Sequence, residues 1–185
     1  MRIGYADPPY LGLAERFYGS MHPEAAAYDD PETHRHLIER LEDEFDGWAM
    51  SLHTPALREI LSMCRPDVRV GAWVKPWSSF KPGVSPSFSW EPVIFRPAPR
   101  KHNKADPTVR DWVAVNITMG RKFQGAKPNA FCYWIFDLVR AKPDDEFTDL
   151  FPGSGAVGLA WERWSKGTLP PVEDGIWALA TNGEG

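Results

Sequence analysis

The alternation of strand-like and helix-like segments in the first 76 residues constrains the fold of this chain more than any other feature. Helical patterns separate three short apolar segments at residues 2–6, 48–52 and 68–74, whose lengths are typical of buried strands. The first helix has Asp30 as a capping residue and Pro31 at its first position. The order β-α-β-α-β favours a parallel sheet with helices packed on both faces. We therefore predict an α/β fold.

The rest of the chain continues this pattern with one interruption. Residues 76–110 are rich in Pro, Ser and basic side chains and contain one short strand-like segment. Four further elements are predicted, namely a strand at 112–117, a helix at 127–140, a strand at 147–151 and a helix ending near Trp164. A chain of 185 residues fits one domain. We expect residues 1–166 to form it, with residues 76–110 as a substrate- or target-recognition insertion and residues 167–185 as a tail.

The composition is that of a globular protein, with 43% hydrophobic and 25% charged residues. Because the formal net charge is −4, binding to a nucleic acid requires a local basic patch. Cys64 and Cys132 lack the spacing of a metal site, so we predict no metal and a reduced, cytoplasmic protein. The first five residues predict a strand rather than a signal peptide. No apolar run approaches the ~20 residues of a membrane helix, so no membrane partner is expected.

Four residues suited to chemistry on an amino group follow the first predicted strand. Asp7, Pro8, Pro9 and Tyr10 lie at its carboxyl end, where parallel sheets bind ligands. The Asp7 carboxylate and the Pro8 carbonyl both accept hydrogen bonds from an exocyclic amine, whose lone pair is otherwise delocalised into a base. Pro8 has a restricted φ, which orients that carbonyl, and Tyr10 can stack on a base rotated out of its helix. The alternative is a Pro-Pro turn with a capping Asp.

A glycine-rich turn later in the chain has the composition of a ligand-binding loop. The predicted strand, turn and helix start share the residues Asp149, Leu150, Phe151, Pro152, Gly153, Ser154 and Gly155. Glycines let a backbone approach a ligand closely, and a helix N-terminus favours a carboxylate. The methionine part of S-adenosylmethionine (SAM) carries such a carboxylate, so the turn is compatible with this cofactor.

A nicotinamide enzyme is an alternative, because residues 153–158 also satisfy the G-x-G-x-x-G pattern. Two observations disfavour it. The stretch after Gly155 is short for the remainder of a dinucleotide-binding sheet. Glu173 and Asp174 lie about 20 residues after the turn, the offset of a ribose-binding acid, but no clear strand precedes them. A phosphate-binding P-loop is excluded, since no Gly-Lys-Ser/Thr occurs.

Together, the two motifs resemble those of the amino-methyltransferase family that modifies adenine N6 or cytosine N4. Their order is that of the permuted members, with the catalytic Asp-Pro-Pro-Tyr loop first and the cofactor glycines last. Residues 72–76 and 90–95 are similar to the family's strands after the catalytic loop, and residues 127–129 to its Lys-Pro segment beside the cofactor. The resemblance covers residues 2–164 and implies a Rossmann-like methyltransferase sheet that binds SAM.

The resemblance also implies roles for individual residues. Asp rather than Ser before Pro-Pro-Tyr favours adenine over cytosine, and the protein-glutamine branch is disfavoured because it has Asn there and the unpermuted order. The implied catalytic residues are Asp7, Pro8, Pro9 and Tyr10. The implied cofactor-binding residues are Ala6, Asp7, Lys127, Pro128, Asn129, Asp149, Phe151, Pro152, Gly153, Ser154, Gly155 and Glu162. The family's ribose-binding acid has no clear counterpart, and Glu162, Glu173 and Asp174 are alternatives for that role.

Basic and aromatic residues between the motifs predict a surface for nucleic acid. The cations expected to contact phosphates are Lys75, Lys81, Arg100, Lys101, Lys104, Arg121 and Lys122. The aromatic residues available for base stacking are Trp77, Phe80, Phe88 and Trp90. A solvated loop and the packing of a core or lid are the respective alternatives. His34 and His36 are expected on an exposed helix face rather than in a metal site.

The function predicted from these features is site-specific methylation of the N6 amine of adenine in DNA, with SAM as cofactor. One alternative is an RNA adenosine N6-methyltransferase, because the eukaryotic RNA enzymes and the bacteriophage-type DNA adenine methylases have a similar layout. Another is a catalytically inactive methyltransferase-like module that binds nucleic acid. The oligomeric state stays open, and a homodimer is compatible with the sequence.

Overall fold

The computed structural model describes residues 1–19, 23–77, 83–101, 103, 108–117 and 126–168. The strands in these ranges are β1 (Arg2–Ala6), β2 (Gly47–Ser51), β3 (Arg69–Val74), β4 (Trp90–Arg96), β5 (Trp112–Ala114) and β6 (Glu146–Asp149). The α-helices are α1 (Ala14–Tyr18), α2 (Pro31–Glu44), α3 (Leu57–Leu61), α4 (Asn129–Leu138) and α5 (Ala156–Ser165). Two 3-10 helices cover Pro23–Asp29 and Thr54–Ala56.

The strands form one sheet in the order β5-β3-β4-β2-β1-β6. β1 pairs in parallel with β2 and β6, and β3 pairs in parallel with β5. β4 is antiparallel to both of its neighbours, β2 and β3. The parallel arrangement predicted for the first three strands is confirmed, whereas no direction was predicted for β4. The described part of the connection from β3 to β4 contains no crossover helix, which a parallel pair requires. Instead the amide of Lys75 donates to the carbonyl of Ser89 at 2.8 Å, which continues the antiparallel pairing.

Helices pack on both faces of the sheet, as predicted. α4 and α5 cover one face, where Phe131 and Phe136 are buried in the same cluster as Tyr5 of β1. α2 and α3 cover the other face, where Leu41 and Ile60 are buried in a second cluster. β1 therefore lies between two apolar layers, which hold the residues that follow it in a fixed position.

The segment between β1 and α2 contains α1 and the 3-10 helix Pro23–Asp29. The Asp29 carboxylate accepts hydrogen bonds from the amides of Ala14 and Glu15, both at 2.9 Å. Backbone hydrogen bonds to this carboxylate, chiefly from Glu15, lower the pKa of Asp29. The local pattern could not reveal this cap, because the capping carboxylate is distant in sequence from the helix start that it binds.

One expectation in this region is corrected. α2 ends at Glu44, since Phe45 is already extended, and Gly47 begins β2. His34 is only 1% exposed and its Nε2 lies 3.0 Å from the carbonyl oxygen of Tyr28, so its predicted exposure is wrong, whereas His36 is exposed. The two residues are about 200° apart around the helix axis, so a single face does not hold both.

The remaining elements differ from the predictions mainly at their ends, and β5, β6 and α4 are each shorter than expected. β4, which lies within residues 76–110, is an internal strand of the sheet. The boundaries of the domain, the insertion and the tail stay predictions. Within the described ranges, no helix combines the length and the apolar character needed to cross a membrane.

Candidate active site

The two motifs lie side by side at the carboxyl edge of the sheet. β1 and β6 are parallel neighbours in which Tyr5 is paired with Asp149. The amide of Leu150 donates to the carbonyl of Tyr5 at 2.9 Å and extends this pairing beyond the strand end. The segment that begins at Asp7 and the glycine turn that follows β6 therefore leave the sheet together. This is the arrangement in which open α/β sheets bind ligands.

The glycine turn has an open backbone at the start of α5. Gly153 and Gly155 have φ values of 46° and 74°, in the left-handed region that favours glycine. A Cβ on Gly155 would meet no atom within 4 Å, so the space beside this backbone is free. The turn thus presents the first amides of a ten-residue helix to an open volume. Such a helix start suits a carboxylate or another anion.

Asp149 supplies an acceptor beside this turn. Its Oδ1 accepts a hydrogen bond from the amide of Phe151 at 3.1 Å, while Oδ2 is buried and has no partner among the described residues. Burial raises the pKa of Asp149 to about 6, and the Asp7 carboxylate adds to the increase. A buried acceptor without a partner costs free energy, and a ligand amine would satisfy it. The amino group of the methionine part of SAM is such a donor, so the residues present fit this cofactor.

The Asp7 carboxylate forms an ion pair with Lys127, which lies just before α4. Nζ of Lys127 lies 2.9 Å from Oδ2 of Asp7, and the two side chains are 9% and 27% exposed. Nζ also lies 5.3 Å from the ring centroid of Trp73 and 5.7 Å from that of Phe131. Lys127 was predicted to bind the cofactor. The structure places it against the predicted catalytic carboxylate, where it compensates the negative charge.

Tyr10 lies between two carboxylates. Its hydroxyl oxygen is 3.3 Å from Oε2 of Glu91 and 3.5 Å from Oδ1 of Asp7, so it can donate to either. Oε1 of Glu91 forms an ion pair with Nζ of Lys75. A chain of polar contacts thus crosses the carboxyl edge. It runs from ammonium to carboxylate, hydroxyl, carboxylate and ammonium, in the order Lys127, Asp7, Tyr10, Glu91 and Lys75. Lys75 was predicted to contact phosphate, but the structure engages it in a pair that is mostly buried.

His53 covers one face of the Tyr10 ring. The two rings are parallel within 4° and their centroids are 5.5 Å apart. Burial lowers the pKa of His53, which favours the neutral ring, and Nδ1 is buried without a partner among the described residues. Neither His53 nor Glu91 was among the site residues predicted from the sequence. His53 follows the end of β2, and that position could have indicated it, whereas Glu91 reaches the carboxyl edge only because β4 is antiparallel.

The other predicted cofactor residues differ in how far a ligand can reach them. Ala6 and Pro8 are buried, so they offer mainly their backbone atoms. Pro128 precedes α4 and Asn129 is its exposed first residue. Pro152 and Ser154 are exposed, and the Phe151 ring packs against the ring of Tyr28 at 5.5 Å.

Glu162, one alternative for the ribose-binding acid, lies on the exposed side of α5. It lies seven residues beyond Gly155, which is about 10 Å along a helix. Its carboxylate is 65% exposed and lies 3.8 Å from Nζ of Lys166. Glu173 and Asp174 lie outside the described residues.

The predicted nucleic-acid residues fall into separate places. Trp77 and Phe88 are 66% and 60% exposed beside the carboxyl edge, and Trp90 is half-buried. Arg100 instead forms an ion pair with the buried Asp145 at the opposite edge, and the exposed Lys101 follows it. The predicted residues outside the described ranges are Lys81, Lys104, Arg121, Lys122 and Phe80.

Comparison with protein-family models and with curated proteins gives no match. Among solved structures, the chain is similar to one described as the crystal structure of the M1.HpyAVI–SAM complex, with a TM-score of 0.57 and 14% sequence identity. The similarity covers 89% of this chain and 78% of that chain. At this identity the likeness concerns the fold. Together with the sheet described above, it shows that the chain has a mixed α/β, Rossmann-like methyltransferase fold.

Proposed function

We propose that the chain is a SAM-dependent methyltransferase that modifies the N6 amine of adenine in DNA. One observation carries the proposal, namely the adjacency of the Asp-Pro-Pro-Tyr segment and the glycine turn on the neighbouring strands β1 and β6. A methyl donor and an amine acceptor must lie within a few ångströms for direct transfer. This pair of motifs provides a place for each at one edge of the sheet.

SAM is the proposed cofactor. Its carboxylate suits the open backbone at Gly155, and its amino group suits the unpartnered oxygen of Asp149. The solved structure similar in fold is described as a complex with SAM, which supports the same cofactor for this chain. When bound, SAM supplies an electrophilic methyl group.

The proposed catalytic residues act on the acceptor amine. The Asp7 carboxylate and the Pro8 carbonyl accept hydrogen bonds from its two N–H groups, which localises the lone pair on nitrogen. The Asp7 carboxylate takes the proton that the amine loses as its bond to the methyl group forms. Lys127 compensates the Asp7 charge at 2.9 Å and fixes the carboxylate in place. Tyr10 is held by His53 and Glu91, and its ring is proposed to stack on the base. We therefore expect positioning to supply much of the rate.

DNA is proposed as the acceptor because of the resemblance of the motifs to DNA adenine methylases. The exposed rings of Trp77 and Phe88 provide stacking surfaces beside the site. RNA presents the same bases and is the alternative acceptor. The assay must therefore contain both nucleic acids.

The test is transfer of a labelled methyl group from SAM to unmethylated DNA and to RNA, followed by digestion and chromatography of the nucleosides. We expect N6-methyldeoxyadenosine from DNA. Methylcytosine would overturn the base assignment, and N6-methyladenosine from RNA alone would overturn the DNA assignment. Calorimetric titration with SAM tests the alternative of a catalytically inactive module, since absence of SAM binding would favour that module.

A further inference from the structure

A second pocket lies at the opposite edge of the sheet from Asp7. It has a volume of about 410 Å³ and is formed by the start of β3, the end of β4, the segment before β5 and the end of α4. β3 has six residues, and a strand rises about 3.3 Å per residue, so the two edges are roughly 20 Å apart. This rear pocket is therefore separate from the proposed active site.

The walls of the rear pocket are strongly basic. The cations that line it are Arg69, Arg100, Lys101, Arg140 and Lys142. Arg100 is paired with Asp145, but no described residue forms an ion pair with the other four. The carboxylates in the lining are those of Asp111 and Asp137. This excess of positive charge contrasts with the net charge of −4 for the whole chain.

Packing at the end of α4 explains only part of this charge. The carbonyl groups at a helix C-terminus attract cations, and Nη1 of Arg140 donates to the carbonyl of Arg100 at 2.9 Å. Arg69 belongs to β3 and Lys101 to the segment after β4, so neither is needed to complete that helix end. Burial raises the pKa of Asp137 to about 7, so near neutral pH this carboxyl is only partly ionised and offsets less than one positive charge.

The rear pocket also has an apolar part. Pro97, Val109 and Ala141 line it and are partly exposed. A concave site that combines an apolar wall with a few charged groups is typical of small-molecule binding, and the volume lies in the usual range for such sites. Unpaired Lys and Arg side chains at one site favour a phosphate group.

We propose that the rear pocket binds a small phosphomonoester of nucleotide size. The phosphate contacts the exposed ammonium groups of Lys101 and Lys142, and the organic ring packs on the wall formed by Pro97, Val109 and Ala141. The proposal does not depend on the methyltransferase activity. It predicts a second ligand on the same chain, bound at a distance from the methyl acceptor.

The experiment is calorimetric titration of the full chain with thymidine 5′-monophosphate, which lacks the exocyclic amine suited to the proposed active site. Inorganic phosphate and a short DNA duplex are titrated in parallel. The test variant is Lys101→Ala/Lys142→Ala, whose two side chains are exposed. The control Arg35→Ala/Lys166→Ala removes the same charge from exposed positions on α2 and after α5.

We expect the monophosphate to bind more tightly than inorganic phosphate. Its affinity should fall at least about tenfold in the test variant and stay within about twofold of wild type in the control and in Asp7→Ala. Absence of monophosphate binding, equal affinity for inorganic phosphate, or equal loss in the control would overturn the proposal. Binding of the duplex alone, lost in the test variant, would overturn it in favour of a contact with the DNA backbone.

Discussion

The ammonium group of Lys127 lies 2.9 Å from the Oδ2 atom of Asp7 and joins the segment before α4 to the segment after β1. Both side chains are largely shielded from water, at 9% and 27% exposure. A shielded ion pair differs from a surface pair, because removal of one partner leaves the other charge poorly solvated. Several expected properties of the site depend on this contact.

Replacement of Lys127 by Met should lower activity. The variant keeps a long apolar side chain against Trp73 and Phe131 but removes the charge that fixes the Asp7 carboxylate. We expect kcat/KM to fall roughly 10- to 100-fold, in the range of losing one charged hydrogen bond at about 1.5–3 kcal/mol. The matched control Lys166→Met alters an exposed contact at 3.8 Å and should keep wild-type activity. Equal activity in both variants would contradict a role of the ion pair.

Replacement of Asp7 by Ala should abolish methylation and leave the fold largely intact. The carboxylate is the group proposed to accept the amine hydrogen, and loss of a general base typically costs about 10²- to 10⁴-fold. Single-turnover methylation measures the loss, and circular dichroism with SAM titration checks that the fold and the cofactor site persist. Full activity in this variant would refute the mechanism.

Asp149→Asn should separate stability from cofactor binding. The folded-state pKa of Asp149 is raised by burial to about 6 from 3.8. Its stabilising contribution is therefore complete below about pH 4 and is lost as the pH rises through about 6. Since Asn does not titrate and can still accept from the Phe151 amide, the variant should gain stability relative to wild type between these pH values.

Urea unfolding of wild type and Asp149→Asn at about pH 4 and pH 7 measures this change, and titration with SAM at about pH 7 measures the affinity. We expect the variant to be at least as stable as wild type at about pH 7 but to bind SAM more weakly, because the charged acceptor is gone. A variant with unchanged SAM affinity would show that Asp149 does not contact the cofactor.

Glu91→Ala tests whether the position of Tyr10 matters for the acceptor. The substitution removes an acceptor for the Tyr10 hydroxyl and the partner of Lys75. We expect the KM for DNA to rise roughly tenfold with a smaller change in kcat. A tenfold rise corresponds to a loss of about one to two kcal/mol of binding free energy. Glu91→Gln keeps an acceptor oxygen and should give an intermediate value, while the exposed Glu39→Ala is the control. An unchanged KM in Glu91→Ala would mean that Glu91 is not needed to position the ring.

Local sequence patterns predicted the strands and helices whose signals lie within a single segment of the chain. The apolar strand before Asp7, the Asp30–Pro31 start of α2 and the helix α4 all follow from periodicity and capping. The resemblance to a family implied that both motifs serve one methyl transfer, but no local signal shows that β1 and β6 are neighbours, because they are far apart in the chain.

Contacts across the sheet edge could not be predicted in the same way. The hydrogen bond from Tyr10 to Glu91 depends on the antiparallel direction of β4, which brings its first residues to the carboxyl edge. The same direction carries Arg100 to the opposite edge, so a basic stretch that looked suited to nucleic acid pairs with Asp145 instead. The direction of one strand thus decides both contacts, and the sequence around Trp90 shows no sign of it.

Two glycine substitutions should change stability in opposite directions. A Cβ on Gly4 would lie 2.8 Å from the Phe45 ring, which is itself buried at 5% exposure. We expect Gly4→Ala to destabilise the fold by roughly 1–3 kcal/mol, the range for overpacking a core. A Cβ on Gly158 in α5 would meet no atom within 4 Å, so Gly158→Ala should stabilise by about 0.5–1 kcal/mol through helix propensity. Urea unfolding midpoints give both values, and Gly4→Ala/Phe45→Leu should recover part of the loss. A Gly4→Ala variant as stable as wild type would show that the Phe45 ring moves aside freely.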